Sequence, residues 1–144
     1  MNPVAFTPEE LQQLKASFKY VESNSKQAAD IFYGHLFDIA PDLKPLFAHT
    51  DMRDQRQKFF SALRVMIGSI QQPHLLVPAM TQLGKRHAKY GVRPEMFQKV
   101  GGALMMTLEE ILGELWTAEV EEAWIRTYTY LADIAAATLA PEGH

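Results

Sequence analysis

The residues of this chain best equipped to bind a metal or move a proton are its five histidines, and their surroundings differ. His87 follows Leu83 by four residues and Met80 by seven, which puts it on the apolar face of a helix, while Lys85, Arg86 and Lys89 point elsewhere. A lone imidazole there reads as a core histidine with its hydrogen bonds satisfied, or as a ligand. One His without partners cannot build a zinc site, which takes three or four protein ligands. One His is enough for the axial position of a haem, and it leaves the opposite iron face open. The others offer less. His144 is terminal, His49 sits in an irregular corner, and His74 follows Pro73. His35 lies one turn after Ile31, on a helix whose apolar stripe is already filled by Phe32, Leu36 and Phe37.

Three further residues could face a group held by His87. Tyr33 stands among apolar residues, and Gln55 and Phe59 are spaced i, i+4, so they share a helix face. Each also has an ordinary reading: Tyr33 and Phe59 as core aromatics, Gln55 as an exposed polar residue. Other chemistries lack their parts. The chain has no cysteine, which excludes disulfides, zinc thiolates, iron–sulfur clusters and thiol nucleophiles. It has no phosphate loop, no HExxH and no GxSxG. Its acidic residues mostly lie beside bases and read as solvated helix surface.

Helices must position these residues. Apolar residues recur at helical spacing between prolines, with no sustained alternation, so the spacing predicts an all-α chain of at least five helices. Thr7-Pro8-Glu9-Glu10 carries a capping box with Pro at the first helical position. A break near Ser23-Asn24-Ser25 opens a second helix, which ends before Pro41. Asp42 to Met52 reads as an irregular corner anchored by Leu43, Leu46 and Phe47. The third helix is expected from about Arg53 to Gln71, stopped by Pro73. A fourth runs from roughly Leu75 to Lys89, with Pro78 in its first turn, where proline is tolerated. The fifth opens at Pro94-Glu95 and contains Gly101 and Gly102. Each glycine costs about 0.5–1 kcal/mol against alanine there, which implies close contact with another backbone or a flat ligand. The last starts at Thr117 and buries Val120, Trp124, Tyr128, Leu131 and Ile134. Unequal helices joined by Pro-marked corners favour irregular crossing over an up-down bundle.

Bulk properties narrow the function. The chain has 144 residues and reads as one domain over residues 1–144. Fourteen Lys and Arg against 17 Asp and Glu give a formal charge of −3, which argues against nucleic-acid binding. The N-terminus shows no basic start or long apolar stretch, and no run of 18 apolar residues could span a bilayer. The expectation is a soluble, cytoplasmic protein without a membrane partner.

In joint order and spacing, residues 6–139 or so resemble a globin, and most of all the single-domain bacterial globins related to the globin half of flavohaemoglobins. The stretches that carry the resemblance are Phe32-Tyr33-Gly34-His35-Leu36-Phe37, Pro41-Asp42-Leu43-Lys44-Pro45-Leu46-Phe47, Gln55-Arg56-Gln57-Lys58-Phe59-Phe60 and Leu83-Gly84-Lys85-Arg86-His87-Ala88-Lys89-Tyr90-Gly91-Val92. Ala123-Trp124 and Tyr128 fit as well. The resemblance implies a 3-over-3 helical sandwich around haem b. It makes His87 the proximal ligand, with its other N–H given to a backbone carbonyl near Leu83. It makes Phe47 the wedge on the haem, Tyr33 the distal donor, Gln55 the distal gate and Phe59 the residue overhanging the ligand. Leu46, Leu83, Val92, Phe97, Val100 and Leu104 would line the haem. Arg56, Arg86 and Lys89 are candidates for the propionates.

The implied function is reversible binding of O₂, and of NO and CO, for storage, delivery or sensing. The alternative is NO dioxygenation, or nitrite or peroxide chemistry, fed by a separate reductase. A helical interaction module without haem is a third reading. Flavohaemoglobins flank the proximal His with Tyr and Glu; the corresponding positions here are Phe97 and Leu139. With no carboxylate accepting its N–H, His87 should push less electron density to the iron. The flavin and NAD half is not expected within these 144 residues. Gln55 in place of His at the gate gives no support for bis-histidine ligation, and His49 could serve only if the corner moved. Phe59 is bulkier than the aliphatic residue usual at its position and should narrow the ligand cavity.

Overall fold

The computed structural model describes residues 6–89, 91–93 and 95–139, with the side chains of Lys89, Thr138 and Leu139 left aside. Expectations about Lys89, Tyr90, Pro94, Leu139 and His144 therefore lie outside the described residues. Regular structure in the described residues is helical throughout: α1 (Pro8–Ser23), α2 (Ser25–Ile39), α3 (Met52–Gly68), α4 (Pro73–Lys89), α5 (Met96–Leu112) and α6 (Ala118–Leu139). Two short 3₁₀ segments, Pro41–Phe47 and Gly113–Leu115, turn the corners after α2 and α5.

The helix starts follow the local chemistry. Thr7 Oγ1 accepts from Glu10 N at 3.1 Å, and Glu10 Oε1 accepts from Thr7 N at 3.0 Å. That is the expected capping box, with Pro8 at the first position. Asp51 caps α3 by accepting from Arg53 N at 2.9 Å, and Thr117 caps α6 through Val120 N at 3.2 Å. Asn24 separates α1 from α2, as the break at Ser23-Asn24-Ser25 foretold.

Four expectations need correction. The corner is more ordered than predicted: Pro41–Phe47 winds into a 3₁₀ segment, because Pro41 presets φ and Pro45 removes an amide. The third helix stops at Gly68, short of Gln71. Ser69 Oγ donates back to the Val65 carbonyl at 2.5 Å, and Ile70 N reaches only to Ile67 O. The fourth helix starts earlier, at Pro73, so Pro78 lies inside it rather than in its first turn. Pro78 and His74 are both exposed, so water can serve the His74 carbonyl that Pro78 cannot. The glycines of α5 meet side chains of neighbouring helices rather than another backbone. A Cβ on Gly101 would fall 2.5 Å from Tyr128 Cε2 of α6, and one on Gly102 would lie 3.8 Å from Ile39 Cδ1.

The helices pack in two crossed layers, with α6 covering α1 and α4 and α2 lying across α5. Between them lies one core built on Leu14, Leu36, Leu76, Leu108 and Trp124. Trp124 Nε1 donates to the buried Ser17 hydroxyl at 2.8 Å, which ties α6 to α1. Trp124→Phe should lower stability by about 1–3 kcal/mol, because the Ser17 oxygen loses a buried donor. Gly101→Ala should do similar harm by overpacking, about 1–3 kcal/mol. Urea denaturation of both variants checks these values.

Candidate functional site

His87 stands in the last turns of α4, one turn after Leu83. Its Nδ1 lies 2.7 Å from the Leu83 carbonyl. A carbonyl can only accept, so Nδ1 carries the hydrogen and donates it. In the neutral ring this leaves Nε2 with its lone pair, the form a metal ion needs. The half-buried imidazole faces the Phe97 ring of α5, centroids 6.0 Å apart at 55°.

The end of α4 brings a second element close. Val92 N donates to His87 O at 3.0 Å and Gly91 N to Ala88 O at 3.1 Å. Gly91 takes φ +88°, a left-handed turn that suits glycine. Its Cβ position is 3.5 Å from Leu46 Cδ2, so the 3₁₀ corner leans on the turn after α4. Leu46 and Phe47 thereby join Leu83, Val92, Phe97 and Val100 as half-buried apolar side chains; Leu104 is fully buried.

A donor pair forms between α2 and α3. Tyr33 is only 6% exposed. Its ring sits among Phe32 (4.9 Å), Phe47 (5.8 Å), Phe37 (6.0 Å) and Phe59 (6.0 Å). Phe59 stacks on Phe32 at 4.4 Å and 18°. Gln55 Nε2 donates to the Tyr33 oxygen at 3.1 Å. Burial raises the Tyr33 phenol above its usual range, an effect only partly offset by the Gln55 hydrogen bond and the Arg56 charge. The phenol therefore keeps its hydrogen at neutral pH. The Gln55 bond uses the phenol oxygen as acceptor, so the O–H remains a donor for an incoming acceptor.

The predicted residues thus fall into contacting sets: Tyr33, Gln55, Phe47 and Phe59; His87, Leu83 and Phe97; and Leu46 against Gly91. The cationic candidates are looser. Arg56 Nη1 pairs with Asp30 Oδ1 at 2.9 Å, and Arg86 is exposed. His35 pairs with Glu110 at 3.2 Å, and His49 and His74 are exposed. Sequence reasoning missed Phe37, which bridges Tyr33 and Phe47, and Asp30 as the Arg56 partner. It also missed the link from Tyr128 to Phe97. Only the unexplained glycines of α5 hinted at that link.

The donor set suits a flat apolar group with one metal position: a single imidazole nitrogen of fixed tautomer, apolar walls from three elements, and a hydroxyl–amide pair in an aromatic box. No group of three or more His, Asp or Glu able to hold a metal ion occurs among the described residues. Nor is any helix there long and apolar enough to cross a membrane.

Comparison with known proteins agrees in sequence and in shape. The family model described as Globin matches residues 30–135. A flavohemoprotein of Rhizobium meliloti is 36% identical over 107 residues, covering 73% of this chain and 27% of that protein. One from Vibrio cholerae is 30% identical over 130 residues, covering 89% and 33%. The chain thus spans about a third or less of the length of these relatives. The crystal structure of a hexacoordinated heme protein from an anhydrobiotic tardigrade superposes with a TM-score of 0.83 at 16% identity, covering 93% of this chain and 95% of that one. That likeness concerns the fold.

Proposed function

The chain belongs to the globin family, and on that premise we propose that it binds O₂ reversibly at a haem b held by His87, with Tyr33 and Gln55 stabilising the gas. Bound haem supplies an iron position open to O₂, NO or CO. His87 would hold the iron through Nε2, and the Leu83 carbonyl keeps that nitrogen free of hydrogen. Phe47 would press on the haem face, with Leu46, Leu83, Val92, Phe97, Val100 and Leu104 around it. Arg86 would meet a propionate from the exposed side; Arg56 could do so only by leaving Asp30.

The observation that carries this reading is the Gln55–Tyr33 hydrogen bond at 3.1 Å. It holds the phenol in one place while leaving its hydrogen to give. An O₂ ligand carries partial negative charge on its outer atom, whereas CO carries less. A fixed donor therefore favours O₂, and release should be slow. Gln55→Leu should speed O₂ release by about 2- to 12-fold, the worth of a modest hydrogen bond of about 0.5–1.5 kcal/mol. Stopped-flow displacement of O₂ by CO measures it. Phe59, stacked on Phe32, narrows the space beside Tyr33, and geminate rebinding kinetics should report that constriction.

A second reading is NO dioxygenation with electrons from a separate reductase, suggested by the flavohemoprotein relatives. The acceptor for the His87 N–H counts against it. A backbone carbonyl is a weaker partner than a carboxylate, and Phe97 offers the imidazole no hydrogen bond. Spectra of the ferric, ferrous and oxygenated forms, with the O₂ dissociation rate, test the binding function. Rapid multiple turnover of NO with a flavin reductase would favour the enzyme; single-turnover consumption would favour the carrier.

A further inference from the structure

The Tyr128 hydroxyl of α6 donates to the Phe97 carbonyl of α5 at 2.6 Å. In a regular helix that carbonyl is the partner of the Gly101 amide, four residues on. The phenol thus lies beside this rung of α5. Its ring occupies the place of a side chain at 101: a Cβ there would lie 2.5 Å from Cε2 and 2.9 Å from Cδ2. The approach therefore needs glycine at 101 and a phenol at 128 together.

The rung belongs to the first turn of α5, whose start at Glu95 has no side-chain cap. Such a turn is loosely held by its own bonds, and α6 holds it from outside. Phe97 is gripped twice. Its carbonyl is bound by Tyr128, and its ring stands against the His87 imidazole at 6.0 Å.

We propose that Tyr128 is a positioning residue for His87: by tying the first turn of α5 to α6 it sets where the Phe97 ring stands, and so the direction in which His87 Nε2 is presented. This rests on the reading of His87 as the iron ligand. Without the hydroxyl this tie from α6 is lost, the first turn of α5 is held by its own bonds alone, and the Phe97 ring shifts on the imidazole.

Two readouts test it. One is the ¹⁵N shifts of the His87 ring nitrogens in the metal-free chain, assigned by comparison with His87→Ala. The other is the iron–imidazole stretching band of the ferrous haem-loaded protein. Tyr128→Phe should shift both signals from their wild-type positions, and Gly101→Ala, which displaces the ring from the other side, should also shift both. Trp124→Phe serves as the control: it should lower the melting temperature and move neither signal. The proposal is overturned if Tyr128→Phe lowers the melting temperature as the control does while both His87 signals stay in place. If the wild-type protein gives no iron–imidazole band, the reading of His87 as ligand fails, and the metal-free shifts alone decide the role of Tyr128.

Discussion

Tyr33→Phe should release O₂ about 10- to 150-fold faster than the wild-type protein. The substitution removes one oxygen and leaves the ring in its box of Phe32, Phe37, Phe47 and Phe59. Packing is therefore nearly conserved, and the loss falls on the donor. Hydrogen bonds to charged groups contribute about 1.5–3 kcal/mol, and about 1.4 kcal/mol corresponds to a factor of ten. The effect exceeds that of Gln55→Leu for a structural reason: Gln55 spends one of its N–H groups on the Tyr33 oxygen. Part of its contribution thus passes through the phenol. The CO dissociation rate should change far less, because CO carries less charge for the phenol to meet. Stopped-flow rates for both gases check the pair. An unchanged O₂ rate would remove Tyr33 from the account.

His87→Ala should abolish stable haem uptake. The substitution deletes the nitrogen whose lone pair the Leu83 carbonyl keeps free. The apolar walls remain, so weak, unligated porphyrin binding can persist, but the absorption band of a nitrogen-ligated ferrous haem cannot. The fold should survive, since His87 is half-buried and the hydrogen bond of its ring is to its own helix, at Leu83. Circular dichroism should therefore stay near wild type while the Soret band is lost. Added free imidazole should restore part of that band by filling the emptied position. Retention of wild-type haem affinity in the variant would refute the assignment of the ligand.

Parts of this arrangement were legible in the amino-acid order, and others were not, for physical reasons. The capping box at Thr7 and the break at Asn24 are local, so a few residues suffice to read them. His87 stood out because helical spacing from Met80 and Leu83 alone puts it on an apolar face. The bond to the Leu83 carbonyl is equally local, four residues back. Proline was the weaker guide. Pro78 sits inside α4 at an exposed position, where water can reach the carbonyl left without an amide, a case the local rule does not foresee.

Contacts across the fold were harder. Tyr33 and Gln55 lie 22 residues apart, and no spacing rule joins residues on different helices; only the family resemblance paired them. The glycines of α5 announced a close approach, but the approaching atom is a tyrosine ring on α6, and no local pattern names it. Asp30 as the partner of Arg56 was invisible for the same reason, and that ion pair competes with the propionate contact that the resemblance implies for Arg56.

The claim that everything else depends on is that the Nε2 atom of His87 is bound to a haem iron. The most direct measurement is resonance Raman spectroscopy of the ferrous protein, prepared with ordinary and with ¹⁵N-labelled histidine. The account predicts one iron–imidazole stretching band that moves to lower frequency on labelling. A haem-loaded protein whose spectrum lacks the band, or whose band ignores the label, would contradict it.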